Sequence, residues 1–241
     1  MYLCKNFFNV CKLDSMKKSF FVGVALGMFT VLTVNAQKSS SFAGTVKFST
    51  TFGGDIDPKV HYPREQVYTI LGNKIKIIDP RGITDILDGD EVTVVRLYDI
   101  PGYKSGYTMS KEEIEEPQST KKYTYIKGED TMTICGYLCT RYDVTVYDTE
   151  AEEEVKLIVY TTTQIGTDNK INNFEYPGLT GFPLYMESEH KGVKKTETAI
   201  EVKKTKVKPV DFLTPTAYKM FSGYTEWALF MNAAADREEE E

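Results

Sequence analysis

The feature that most constrains this chain is a strict alternation of apolar and polar side chains, repeated from residue 42 almost to residue 207. In residues 42–52, Phe42, Gly44, Val46, Phe48, Thr50 and Phe52 share one parity, while Thr45, Lys47, Ser49 and Thr51 share the other. Successive side chains of an extended strand point to opposite faces, so such a run buries one face and leaves the other in water. The same period returns in residues 66–71, 74–78, 83–87, 92–97, 122–126, 140–147, 155–161, 184–189 and 196–207. Turn-forming pairs punctuate the series: Gly72-Asn73, Asp88-Gly89, Lys127-Gly128 and Lys191-Gly192. Asp-Gly between apolar runs signals a two-residue hairpin, and strands joined by tight turns are antiparallel neighbours. The expectation is a mainly β chain built on one large antiparallel sheet. Ten one-sided strands fit either a curved sheet, an incomplete barrel wrapped over a few short helices, or a β-sandwich. Periodicity does not choose between them.

Helix signals are sparse. Ser110 and Glu113 have capping-box spacing, with Pro117 ending a short helix. Thr214-Pro215 reads as an N-cap and first helical position, with Gly223 as a stop. A last helix over residues 225–237 would carry Trp227, Phe230, Met231 and Ala234 on one side. Such a stripe either docks on its own domain, the preferred reading, or meets a partner of the cell envelope.

The start of the chain addresses it to export. From Met16 the sequence reads MKKSFFVGVALGMFTVLTVNAQ: a short basic start, an apolar run and small residues before Gln37. That is the build of a secretory signal peptide, with cleavage expected after Ala36, and the apolar run is short for a permanent span. Residues 1–15 ahead of it read as an upstream extension, with translation expected from Met16. No cysteine follows the apolar run, so the lipid-modified cysteine of a bacterial lipoprotein is missing. The domain expectation is residues 1–36 as extension plus signal, 37–215 as a single β domain, and 216–241 as a C-terminal helix and acidic tail. Removing residues 1–36 leaves 25 basic against 34 acidic side chains, a formal charge of −9. That balance argues against nucleic acid as a partner. The place expected is the periplasm or outer side of a Gram-negative-type envelope, where thiols oxidise.

Catalytic constellations are thin. His61 and His190 stand apart without motif context, and no nucleophile elbow, H-E-x-x-H or phosphate loop occurs. Glu187, Glu189 and His190 offer ligand types, but on a strand the histidine points away from the two carboxylates. Asp85, Asp88, Asp90 and Glu91 lack calcium-loop spacing and read as a hairpin tip. No cofactor or metal is expected.

The stretch TMTICGYLCTRYDV, residues 131–144, holds Cys135 and Cys139. C-x-x-x-C is not the redox C-x-x-C, and no second pair completes a zinc set. With strand-like flanks, Gly136-Tyr137-Leu138 reads as a three-residue hairpin loop. Cys135 and Cys139 would then oppose each other at disulfide distance.

These residues also carry a family likeness. Residues 133–142, TICGYLCTRY, resemble the T-I-x-G-Y-x-C-x-x-Y signature of exported envelope proteins of unknown function. Val159-Tyr160-Thr161 is similar to the family's next strand, where a Trp often precedes the Tyr. Gly181-Phe182-Pro183-Leu184 resembles its G-x-P-L turn, and Phe212 with Pro215 its closing F-x-x-P. The similarity spans much of residues 42–215. Cys135 departs from it, because a small apolar residue is usual there. The family is related to the LolA and LolB lipoprotein carriers, a curved sheet over helices with an apolar cavity, so the likeness favours the incomplete barrel. It supplies no catalytic residues.

The functional expectation is a non-enzymatic envelope protein that binds an apolar ligand, a lipid or lipoprotein acyl chain, on the concave sheet face. Candidate lining residues are Phe48, Tyr68, Val94, Tyr125, Tyr142, Val144, Leu157 and Val159. The alternative is a protein–protein module of the envelope meeting its partner through Trp227, Phe230 and Met231. An enzyme ranks third, to be revived by a pocket that gathers titratable groups.

Overall fold

A computed structural model describes residues 42–56, 64–100, 103–165 and 170–238. The upstream extension and signal segment, Asp57, Pro58, His61 and residues 239–241 of the acidic tail lie outside the described residues. The described residues form one open, curved, mixed sheet of 12 strands that does not close into a barrel. In chain order these are β1 (Ala43–Gly54), β2 (Glu65–Leu71), β3 (Lys74–Asp79), β4 (Ile83–Asp88), β5 (Thr93–Ile100) and β6 (Tyr103–Met109). After helix α1 (Lys111–Ser119) come β7 (Lys121–Ile134), β8 (Tyr137–Asp148), β9 (Glu153–Thr162), β10 (Phe182–His190) and β11 (Val193–Lys204). The chain ends in β12 (Lys219–Phe221) and helix α2 (Tyr224–Glu238). The strand order is β12-β6-β5-β4-β3-β2-β1-β11-β10-β9-β8-β7, so β1 sits centrally and two antiparallel meanders spread from it. All ten strands expected from alternation are present, and the curved-sheet expectation holds over the sandwich.

Register lines up inner-face side chains in several short rows. Tyr123 opposes Val146, which opposes Val155; Glu197 opposes both Thr50 and Met186. Further along, Tyr68 opposes Ile77, then Asp85, Arg96 and Tyr107. Met109 of β6 and Tyr123 of β7 line one groove although their strands lie at opposite ends of the sheet order. The sheet therefore curls until its ends face each other, and α1 spans the gap. Ser110 caps α1 as expected, its Oγ accepting from the Glu113 amide at 3.4 Å while Glu113 Oε2 accepts from the Ser110 amide at 2.8 Å. Pro117 lies inside α1 rather than ending it, because the helix runs on to Ser119.

Several local expectations are corrected. The Asp88-Gly89 turn is a four-residue loop, since Asp88 pairs with Thr93. Tertiary contacts widen it: the Gly89 amide donates to the Asn73 carbonyl at 2.8 Å, and Asp90 takes Lys170 Nζ at 2.8 Å. Lys127-Gly128 is no turn; β7 continues through it with a register shift between Lys127 and Thr131. No helix starts at Thr214-Pro215. The proline that opens a turn is Pro209, where Pro209–Phe212 forms a 3-10 turn, and the chain then extends into β12. Gly223 precedes α2 rather than ending a helix.

Two strands had no clear signature. β6 carries Ser105 and Gly106 in place of apolar residues, and β12 is three residues long, pairing parallel to β6. To reach that edge the chain leaves β11 and crosses the outer face, where buried Phe212 packs with Ile86 and Leu97. It then returns over the inner face as α2. Trp227 stacks on Tyr98 at 4.4 Å and 16°, and its Nε1 donates to Ser105 Oγ at 3.0 Å. Phe230 packs on Phe221 at 5.0 Å, with Lys219 Nζ 3.8 Å from its ring centroid. The stripe of Trp227, Phe230 and Met231 thus docks on its own domain, the preferred of its two readings.

The cysteine pair is also corrected. Ile134 pairs directly with Tyr137, so the hairpin loop is only Cys135-Gly136, with φ of 49° and 85°. Both values are left-handed, as a two-residue I′ turn requires. Cys139 opposes Met132, and the two thiols are free: Cys135 is exposed at the tip and Cys139 fully buried. The expected cross-strand disulfide needs the two cysteines opposite each other, and Cys135 sits in the turn while Cys139 faces Met132. Burial pushes the Cys139 thiol up to about 11. Thiol titration of the native, unreduced protein is expected to find Cys135 reactive and Cys139 released only on unfolding. Two unreactive thiols in native and unfolded protein alike would restore the disulfide.

Candidate functional site

The concave face is roofed by the segment of residues 170–181, which crosses the sheet between β9 and β10. Lys170–Phe174 makes a 3-10 turn, and buried Asn172 organises residues 176–181 after it. The Asn172 Nδ2 donates to the carbonyls of Leu179 and Gly181, each at 2.7 Å, while its backbone carbonyl accepts the Tyr176 amide at 2.7 Å. Three outside ties fix the crossing: Lys170 to Asp90, Gln118 Nε2 to the Phe174 carbonyl at 3.0 Å, and Tyr125 Oη to the Pro177 carbonyl at 3.0 Å.

Beneath the crossing lies an apolar hollow of about 80 Å³, walled by Phe48, Tyr68, Ile75, Phe174, Phe182 and Met186 among others. Two open grooves of about 380 Å³ each flank it. One runs under α1 past Ile77, Val94, Met109 and Ile114; the other runs over β7–β11 past Val146, Val155, Leu157 and Ser188. Glu175 borders the hollow and both grooves.

The expected lining is partly assembled. Phe48 and Tyr68 meet at 4.7 Å between ring centroids and form the hollow's wall. Val94 and Leu157 reach one groove each. Tyr125, Tyr142, Val144 and Val159 instead pack around buried Leu179 as ordinary core beneath the crossing. Periodicity identifies the inner face, but it cannot tell which inner positions the crossing will cover.

The titratable groups of the site were missed. Glu197 is 3% exposed, and its Oε2 meets Lys195 Nζ at 2.8 Å. Burial works against the Lys195 charge, yet Glu197 and Glu175 lift its pKa above the usual lysine value. Glu175 is exposed to the grooves, yet enough protein lies around its carboxyl to desolvate it. Burial raises its pKa, Lys195 opposes the rise and Glu197 adds to it. Burial also raises the phenols of Tyr68, Tyr176 and Tyr123. One signal was available: Lys195 and Glu197 share the parity of Ala199, a charged pair on an otherwise apolar face.

A carboxyl whose pKa is higher folded than unfolded costs stability when ionised. The cost is full above the folded value and vanishes as pH falls to the unfolded value. Glu175→Gln is therefore expected to raise the melting temperature at pH 8, with the gain shrinking to nothing toward pH 4. Melting curves of both proteins across that range check it, and a pH-independent difference would contradict it.

The polar clusters weighed as metal ligands are engaged otherwise. Glu187 binds Lys194 at 2.9 Å and the Tyr185 hydroxyl at 2.7 Å, Asp85 takes Arg96 in two bonds, and Asp88 takes Lys74. No group of three His, Cys, Asp or Glu among the described residues is placed to hold a metal. No helix among them is long and apolar enough to cross a membrane. Neither a scan of protein-family models nor a comparison with curated proteins finds a match to this chain.

Proposed function

We propose that this protein is an exported, non-enzymatic binding protein of the cell envelope that takes an apolar chain, such as a lipid acyl group, on its concave face. One observation carries the reading: an apolar hollow left unfilled beneath the crossing segment and continuous in lining residues with two open grooves. Protein interiors rarely leave room beside large aromatic side chains, since each void forfeits packing. Ligand pockets run to ~300–1,000 Å³, so the 80 Å³ hollow takes only the tip of a chain. The body lies along a groove. The signal-like leader and the likeness to the carrier-related envelope family support the location and the ligand class. The rival reading as a protein–protein module loses its C-terminal contact surface, because Trp227 is spent on Tyr98 and Ser105.

The test is saturable binding of the uncharged fluorescent probe phenylnaphthylamine, with native mass spectrometry for co-purified lipid. Ile77, half-buried where the hollow meets the α1-side groove, is the blocking position. Ile77→Trp is expected to weaken probe binding by about tenfold (~1.4 kcal/mol) with an unchanged circular dichroism spectrum. A wild-type protein that neither binds the probe nor carries lipid would end the proposal.

A further inference from the structure

Most charges along the two grooves are already matched. In the α1-side groove Asp85 and Arg96 bind each other at 2.7 and 2.8 Å, and Glu113 caps α1. In the other groove Glu153 pairs with Lys191, Lys195 pairs with Glu197, and Asp148 accepts the amides of Glu150 and Ala151. Two groups, Lys121 and Glu175, close no ion pair within 4 Å among the described residues: Lys121 faces Asp148 across the β7–β8 ladder, and the Glu175 carboxyl meets the Tyr176 hydroxyl and feels Lys195 and Lys121 only at longer range. Both line both grooves, together with Tyr123. They mark the place where the grooves meet and come from different elements: Lys121 starts β7, and Glu175 belongs to the crossing segment.

Two unlike charges facing one channel without closing on each other leave a gap that a dipolar group fits. A group of either single sign would meet one attraction and one repulsion there. We propose that the junction of Lys121, Tyr123 and Glu175 holds the polar head of the ligand, and that this head is zwitterionic, its anion toward Lys121 and its cation toward Glu175. The Tyr123 face adds a surface for a quaternary or primary ammonium. The inference rests on the apolar-ligand reading and narrows it to zwitterionic amphiphiles.

Three amphiphiles with one tail and different heads test it: dodecylphosphocholine, dodecanoate and dodecyltrimethylammonium, each below its micelle concentration. The readout is displacement of phenylnaphthylamine from the full protein. The zwitterion is expected to displace at about tenfold lower concentration than either singly charged compound, a gap of ~1.4 kcal/mol. Lys121→Met should remove its advantage over the cation alone, and Glu175→Gln its advantage over the anion alone. Equal displacement by all three, or preference for a singly charged head, overturns the zwitterion proposal and leaves the apolar-ligand reading standing. A protein that never binds the probe fails the underlying reading instead. Loss of both advantages in each variant would show that the two side chains do not divide the head between them, and would also overturn it.

Discussion

Phe48→Ala is expected to lower the unfolding free energy by about 3–5 kcal/mol, the range for deleting a buried phenyl ring. Phe48 is 2% exposed on the central strand, with Tyr68 at 4.7 Å and Phe182 at 6.3 Å between ring centroids. The cost has two parts, lost transfer of the ring and a void the surroundings do not refill. Collapse is opposed here because β1 is held on both flanks by β2 and β11, and the crossing segment is pinned from α1, β7 and the β4–β5 loop. Urea denaturation should show the midpoint fall with an unchanged slope. A loss under about 1 kcal/mol would mean the site relaxes and Phe48 is no keystone. The same deletion widens the 80 Å³ hollow, so the folded variant should bind phenylnaphthylamine at least as tightly as wild type, the opposite of Ile77→Trp.

Trp227→Ala is expected to release α2 at a cost of about 2–4 kcal/mol. The half-buried indole contributes roughly 1 kcal/mol of area, ring stacking about 0.5–1.5 and the bond to Ser105 about 0.5–1.5. A helix of 15 residues is marginal alone in water, so it does not survive undocking. Hydrogen exchange should speed throughout α2 and β12 while β1 and β11 keep their protection, because stability is not uniform across a fold. Tyr98→Ala should do the same while keeping the single tryptophan as reporter, its emission shifting red. Protected α2 amides in both variants would mean that Phe230 and Met231 suffice to hold the helix.

The local elements were legible wherever one residue's environment followed from its neighbours. Alternation found ten strands, and Gly72-Asn73 and Lys191-Gly192 became the two-residue turns their residue types demand. Asp88-Gly89 failed because Asn73 and Lys170, remote in sequence, claim that loop. The cysteine pair was misplaced by three residues in register, Cys139 facing Met132 instead of Cys135, because the chain turns at Cys135-Gly136 and not at residues 136–138. The candidate site was legible only as a face: Phe48 and Tyr68 were found because they alternate, and Glu175 was not, because nothing local distinguishes it.

The sequence by itself determined which residues form strands, which face of each strand is apolar, and where α1 begins. Those properties come from the two-residue repeat of an extended backbone and from the hydrogen bonds a capping side chain can reach. Tertiary structure alone decided that the sheet curls and stays open, that β12 runs parallel to β6, and that residues 170–181 cross the concave face. It also decided that Lys121 and Glu175 both line the junction of the two grooves. Each of these depends on contacts between distant segments, whose free energy is set by the whole packed arrangement and by no short stretch of chain.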